Sequence, residues 1–572
     1  MGKIFNVVKN LSNDNTEPTY PNVPKELLPE KFAKYFKEKI TIIRQKISAE
    51  SILVTPPEYL QNAAGNVCPS KFENFEPITL EVLQSTFSKM NKKYCMIDPV
   101  PIKVFTQCFS NFESFILNIV NQSLGTGSFP ESLKHAIVSP IVKDPNGDTD
   151  DFKNYRPISN TPNLAKILEK VALTQITSYL NQNNLQSMTQ SAYKLNHSCE
   201  TALIKIVNDI QSEISKNKLV ILIMIDLSAA FDTIDQRILL RKLELQFGFC
   251  GNVLSFIKSY LMNRTFTVSV QNINSSKYQL DCGVPQGSIL GPLLFTLYLK
   301  DLDEIVREYD IIPHVYADDT NLYLGFNPIN SFTQALSKVS ECFDCIMNYM
   351  RENFLKLNVD KTKVLLCGKP TAIDLYADRY DEVSQAGKLE GLQKNQSCKT
   401  LGATIDPSLN FKDMISEVCK SSHFKLNKLQ NVGSFLDKDT KVTLVKSLIL
   451  SKIDYCNFLY AHAPNNQIYR LQKCLNSAVR FIYNVRKSTS ARLYLKEAHI
   501  LPVKYRIEYK LCFYAYKIIH GTALSYLQEM IQNRQPSQLL RSAMDTTVLV
   551  TNYSETTIAY HICKSCFLHI KY

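Results

Sequence analysis

The chain has 572 residues, 45% of them hydrophobic and 21% charged, enough for roughly three to four domains with large cores and too long for a small disulfide-framed scaffold. Its 65 Lys and Arg against 53 Asp and Glu leave a net charge of +12, an excess that suits a polyanionic partner as well as plain solubility. The 16 cysteines follow no disulfide spacing and no signal peptide precedes them, so a reducing intracellular compartment is expected, and no apolar run approaches the ~20 residues that cross a bilayer.

Residues 1–75 read as a polar linker followed by a helix over 29–47, on which Phe32, Tyr35, Phe36, Ile40 and Ile43 repeat at helical spacing; no catalytic constellation appears there. Residues 76–123 are a helical lead-in with a turn-rich block at 95–101, in which Asp98 before Pro99 reads as a turn former. A strand over 136–143, a polar loop over 144–151 and a return strand over 155–158 make a long hairpin with Lys143 and Arg156 near its bend. Such a pair can clamp a triphosphate, Arg as a planar fork and Lys as a point charge, although spacing alone favours surface charges.

A packing helix over 160–181 precedes a block that carries Lys194 and in which His197 is structural, since no Ser, Cys or acid pattern accompanies it. Seven apolar residues, Leu219–Ile225, are then stopped by Asp226, the pattern of a buried strand delivering a carboxylate to its end. Phe231 follows five residues later, while Asp232 and Asp235 read as acids favoured at a helix amino terminus rather than metal ligands. Arg264 opens a strand over 265–270 and reads from its position as a solvated strand-end charge. The glycine-rich loop 283–291 lets backbone approach a ligand, and Gln286 beside Gly287 offers both donor and acceptor to a nucleotide.

Asp318 and Asp319 lie between two β-favouring runs and are expected at a hairpin tip. Side chains alternate along a strand, so Asp318 is expected as the primary ligand and Asp319 in support. If these acids converge with Asp226, their repulsion calls for a cation, and oxygen ligands favour Mg2+ or Mn2+. The helix over 332–353 carries Cys342 and Cys345 as core thiols, and Lys361 precedes a further strand. From 406 the pattern is helical to 534; on the helix over 467–482, Arg470, Lys473 and Arg480 oppose an apolar face, and residues 451–500 hold eight Lys or Arg against two Asp or Glu. The tail, 535–572, is poorly defined, with Cys563, Cys566 and His569 forming half a zinc pattern at most.

Three blocks occur in one order: Asp226 to Asp232, Gly283 to Pro292, and Tyr316, Ala317, Asp318, Asp319. They resemble motifs A, B and C of reverse transcriptases, and the blocks at 154–159 and 190–203 resemble those of non-LTR retrotransposon polymerases, nearest to the jockey-type group. The resemblance runs from about residue 93 to about residue 527. It implies an α+β right-hand polymerase, with fingers and palm over 124–405, a small antiparallel palm sheet flanked by helices, and a helical thumb and carboxy-terminal region over 406–534. It further implies an RNA-directed DNA polymerase using two Mg2+ ions, with Mn2+ as a possible substitute, held by Asp226, Asp318 and Asp319. Phe231 would be the gate against a 2′-hydroxyl, Lys143, Arg156, Gln286 and Gly287 would hold the nucleotide, and Lys361 would be a general acid toward pyrophosphate. At 400–402 the chain resembles the primer-grip turn, and the resemblance makes Lys194, where relatives commonly carry Arg, and Arg264 candidate template contacts. The implied partners are an RNA template, a DNA primer and dNTPs, with element RNA in a cytoplasmic ribonucleoprotein that acts in the nucleus, and no membrane. An apurinic-type endonuclease usually precedes such polymerases, and there is no room for one before residue 93, so a truncated gene model or absent nicking is expected. Two other readings are a catalytically inactive remnant that binds nucleic acid and an RNA-dependent RNA polymerase.

Overall fold

The structure is a computed structural model that describes residues 20–50, 68–145, 147–358, 361–376, 379–386 and 397–530, with 532–533, 549–550, 558 and 562. Cys563, Cys566, His569 and most of the tail, like the polar stretch before residue 20, lie outside the described residues. It is a mixed helix-and-sheet fold. Its strands are β1 (His135–Val142), β2 (Tyr155–Asn160), β3 (Leu219–Ile225), β4 (Leu227–Ser228), β5 (Arg264–Val270), β6 (Ile273–Asn274), β7 (Tyr278–Leu280), β8 (Ile312–Tyr316), β9 (Asp319–Phe326), β10 (Lys356–Leu357), β11 (Lys363–Cys367), β12 (Cys398–Thr400) and β13 (Ala403–Ile405).

The central sheet has the order β11-β3-β9-β8 and is antiparallel throughout. All seven residues of β3 are buried, and alternation explains why. Leu219, Ile221, Ile223 and Ile225 enter one core, shared with Phe332, Val339 and Phe343 of the helix Pro328–Glu352. Val220, Leu222 and Met224 enter another, shared with Leu203, Ile206 and Val207 of the helix Cys199–Ser215 and with the helices beyond residue 412. A strand covered on both faces has no position at which a polar residue is tolerated, so the apolar run is continuous until it leaves the sheet at Asp226.

A second sheet, β2-β1-β5-β6 with β7 on the far part of β5, joins the hairpin β1–β2 to β5 by a parallel pairing, His135 opposite Thr265. The helix Leu28–Glu50 lies on this sheet: Leu28, Phe32, Ala33 and Phe36 are buried with Val138, Tyr155, Phe266 and Val268. Asp98 forms its turn and also accepts from the amide of Asn163 at 3.0 Å, capping the helix Asn163–Gln182. Cys342 is buried in the first core and Cys345 meets the Tyr309 hydroxyl at 2.9 Å, so both thiols serve packing.

Two basic residues have other surroundings than expected. Arg264 is 1% exposed; its Nε donates to the Tyr260 carbonyl at 2.6 Å, an Nη donates to the Lys134 carbonyl at 3.3 Å, and the guanidinium lies 4.3 Å from the Tyr260 ring centre. It is neither a solvated charge nor placed to touch a template. Lys194 donates to the Ser187 carbonyl at 2.5 Å, and burial pushes its ammonium down to about 8. Both cations are used inside the fold, where carbonyl acceptors replace water.

Candidate active site

The hairpin β8–β9 places Tyr316 opposite Asp319, leaving Ala317 and Asp318 as its two-residue loop. Ala317 takes φ +57, and its amide is held by Gln190 Oε1 at 3.2 Å. Residues 189–191 run alongside β8, Val315 N donating to the Thr189 carbonyl at 3.0 Å and Ser191 N to the Val315 carbonyl at 2.9 Å. Gln190 therefore fixes the turn that carries the acids, a second task for the block at 190–203.

Asp226 comes to the same place from β3. Ile225 is opposite Thr320, so the next residue is brought level with Asp319. Three contacts hold Asp226: its amide donates to Thr362 Oγ1 at 3.3 Å, its carbonyl accepts from Asn358 N at 2.8 Å, and its carboxylate accepts from Asn358 Nδ2 at 2.9 Å. Asn358 is itself brought in by the pairing of β4 with β10, Leu227 opposite Leu357. Lys361 Nζ stands 3.9 Å from the same carboxylate. Asp226 and Asp319 line a cleft of about 340 Å³ with Lys361, Lys363 and Lys399, while Asp318 at the tip is exposed. The two adjacent acids thus diverge, as alternation requires.

The three carboxyls nonetheless lie near enough to act on one another's charge. Loss of solvent and then the Asp226 charge raise Asp318 above the usual carboxylate range. Loss of solvent, then Asp318, then Asp226 raise Asp319 to about 6. Arg156 and Lys361 oppose both shifts. Arg156 is exposed on β2, paired with Ile141, so the end of the β1–β2 hairpin stands over the acids. Lys143 donates to the Lys153 carbonyl at 2.5 Å; partial desolvation, then Lys39, Lys361 and Arg156, push it down to about 8 against the pull of Asp232.

Phe231 is half-buried and stacks on Phe295 at 4.6 Å. Its carbonyl accepts from Val284 N at 2.9 Å, and a Cβ on Gly283, at φ +80, would come within 2.8 Å of that oxygen. The aromatic and the glycine-rich loop are therefore interlocked. On the other side, the Gln286 carbonyl accepts from Ser159 N at 2.7 Å, and Gly287, at φ +116, passes so near β2 that a Cβ would sit 2.5 Å from the Ser159 carbonyl oxygen. Asp235 caps the helix Gln236–Phe247 and pairs with Arg44, whereas burial raises Asp232 to about 6 against Lys39 and Lys143.

Asp226 and Asp319 thus share a cleft with Lys361, Asp318 and Arg156 act on those acids through their charges, Lys143 is repelled by Arg156 and Lys361, and Phe231, Gln286 and Gly287 are tied to one another and to β2 by backbone contacts. Among the described residues no three His, Cys, Asp or Glu side chains are arranged to hold a metal by themselves. Mutually repelling carboxylates nonetheless fit a hard cation that keeps waters and takes phosphate oxygens as its remaining ligands. The sequence places Gln190 and Asn358 within family-like blocks but not against Ala317 and Asp226, because those side-chain contacts depend on pairings between distant parts of the chain. The basic helix Asn465–Tyr483 does bury Leu471, Leu475, Val479 and Ile482, but Arg480 donates to the Thr489 carbonyl at 2.8 Å and Arg470 to Gln467 at 2.7 Å, leaving Lys473 over the Tyr469 ring as its most exposed charge.

Residues 142–405 match the family described as reverse transcriptase (RNA-dependent DNA polymerase). The chain is 26% identical over 458 residues to the RNA-directed DNA polymerase from mobile element jockey of Drosophila melanogaster, covering 77% of this chain and 47% of that protein. It is 25% identical over 455 residues to the protein of the same description from Drosophila funebris, with the same shares, and 25% identical over 392 residues to the probable RNA-directed DNA polymerase from transposon BS of Drosophila melanogaster, covering 66% and 42%. The chain spans about half the length, or less, of these curated relatives. Residues 142–405 are thus similar to reverse transcriptase domains, and the chain that carries them is similar to the polymerases of jockey-type non-LTR retrotransposons.

Proposed function

We propose that this chain is an RNA-directed DNA polymerase that extends a DNA primer on an RNA template, with fingers, palm and thumb arranged about the site above. The observation that supports the reading is the register that brings Asp226, at the end of β3, level with Asp319 on the β8–β9 hairpin, where both line one cleft with Lys361. In the reaction the primer 3′-oxygen forms a bond to the α-phosphorus of a dNTP, the bond from that phosphorus to the bridging oxygen breaks, and pyrophosphate leaves. Two Mg2+ ions, or Mn2+ in their place, held by Asp226 and Asp318 with Asp319 in support, would lower the pKa of the attacking hydroxyl and stabilise the charge on the departing oxygen.

Arg156 and Lys143 bind and orient the triphosphate, Arg156 with a two-pronged fork. Phe231, braced by Phe295, sits where a ribose 2′-hydroxyl would intrude. Gln286 and Gly287 shape the nucleotide wall, and Lys361 is positioned to give a proton to the pyrophosphate oxygen. The partners that follow are an RNA template, a DNA primer and dNTPs, with element RNA in a ribonucleoprotein. No helix among the described residues is long and apolar enough to cross a membrane. Primer extension with Mg2+ tests the reading: Asp226→Asn is expected to lower the rate by at least roughly a thousandfold while template-primer binding persists. Near-normal extension by that variant would sink the assignment, and binding without any extension by the unsubstituted chain would favour a nucleic-acid-binding remnant.

A further inference from the structure

The helix Leu28–Glu50 lies outside the matched domain, yet it packs on the sheet and the short helix that flank the candidate site. Lys31, Lys34, Lys37 and Lys46 of this helix are exposed. Lys39 is not; it continues the packed stripe Phe32, Phe36, Ile43 and Ile47, at helical spacing between Phe36 and Ile43. A lysine on the packed face of a helix is expensive unless its ammonium finds a counter-charge.

The helix is pinned on both sides of Lys39. Phe32 and Phe36 are buried against the second sheet, with the Phe32 ring 4.9 Å from that of Tyr155. Arg44 donates to the Thr233 carbonyl at 3.1 Å and to Asp235 at 2.6 Å, and lies 4.2 Å from the Phe354 ring centre. These pins hold the middle of the helix over the short helix Ala230–Thr233, which carries Phe231 and Asp232. Phe36 and Ile40, on either side of Lys39, line one small cavity with Asp232, Ser159 and Gln286. From there the ammonium is attracted by Asp232 and repelled by Lys361, and Lys143 is repelled in turn by Lys39 and Arg156. Lys39, Lys143, Arg156 and Lys361, from four separate stretches of the chain, therefore act on one another's charge. Like charges converge at a cost that a polyanion relieves, and the polyanion of the proposed reaction is a triphosphate.

We propose that Lys39 is part of the nucleotide site: its ammonium binds the β- or γ-phosphate of the incoming dNTP beside Lys143 and Arg156, and Asp232 holds it in position before the triphosphate arrives. The inference rests on the polymerase reading above and extends the site to the amino-terminal helix. A contact to phosphates that leave as a unit is made in the bound state and kept in the transition state, so its loss acts on KM rather than kcat.

Lys39→Gln in the full chain is expected to raise the dNTP KM roughly tenfold with kcat within about twofold and template-primer Kd unchanged; Lys39→Arg should recover most of the loss, and Lys34→Gln, whose lysine faces solvent beside Glu38 at 3.8 Å, should change nothing. An unchanged KM in Lys39→Gln would overturn the proposal. So would a weaker template-primer Kd with a flatter salt dependence at constant KM, since that marks a nucleic-acid backbone contact. A second measurement needs neither turnover nor substitution: with template-primer, dATP and Mg2+ bound, acetylation of Lys39 should slow at least about fivefold while that of Lys34 does not. Equal reactivity with and without dATP would overturn the proposal even in a chain that extends primers. Protection in a chain that fails to extend them would instead uphold the phosphate contact while the polymerase reading falls.

Discussion

Removing Asp319 from the metal-free protein should make it more stable. In the folded chain, lost solvation and the neighbouring Asp318 and Asp226 raise this carboxyl from 3.8 to about 6. A carboxyl raised on folding binds its proton more tightly in the native state, so it costs nothing below pH 4, costs increasingly as pH rises to about 6, and carries its full penalty above that. The displacement corresponds to at most about 3 kcal/mol, and partial solvent access reduces it to an expected ~1–2 kcal/mol. Urea unfolding of the parent chain and Asp319→Asn, both in chelator, should therefore show the variant more stable at pH 8 by that amount and the two equal at pH 4. Saturating Mg2+ should narrow or reverse the gap, because an ion bound only by the native state stabilises the intact acid set. A variant that is no more stable at pH 8 in chelator would refute the claim that the three carboxyls repel one another in the empty fold.

Other substitutions read out individual contacts. Phe231→Ala removes the ring stacked on Phe295 and should raise ribonucleotide incorporation relative to dNTP by roughly tenfold or more in single-nucleotide extension assays; no gain would count against the gate. Asn358→Ala deletes a hydrogen bond that orients Asp226, and should lower kcat about 10–100-fold and raise the Mg2+ needed for half-maximal extension, whereas an unchanged Mg2+ dependence would leave Asn358 a merely local role. Gly287→Ala meets both a positive φ and the Ser159 carbonyl, and should cost about 1–3 kcal/mol in denaturant unfolding and weaken dNTP binding; a fully stable variant with normal KM would show that the loop need not touch β2.

Much of the site was legible because its chemistry is local in sequence. An uninterrupted apolar run that stops at an acid announces a strand buried on both faces, and two acids between β-forming runs announce a hairpin tip; β3 and β8–β9 have those forms. What escaped notice depends on partners far away in the chain. The periodicity of residues 29–47 marks a packed face without saying that Tyr155 and Phe266 cover it, and so gives no reason to look twice at Lys39. Arg264 resembles any strand-end cation until the carbonyls of Tyr260 and Lys134 are found beside it, and Arg480 resembles a surface charge until the Thr489 carbonyl closes on it. The parallel pairing of β1 with β5 joins residues 130 positions apart, and nothing in either strand names the other.

The two-sided burial of β3 means that the matched domain and the helices after it are not separable objects. Val220, Leu222 and Met224 share their core with Leu426, Leu475 and Leu511 as well as with the helix Cys199–Ser215, so a fragment ending near residue 405 would open part of that apolar core to water. The border drawn by family likeness is a border of ancestry, and the strand that delivers Asp226 owes its footing to residues on both sides of it.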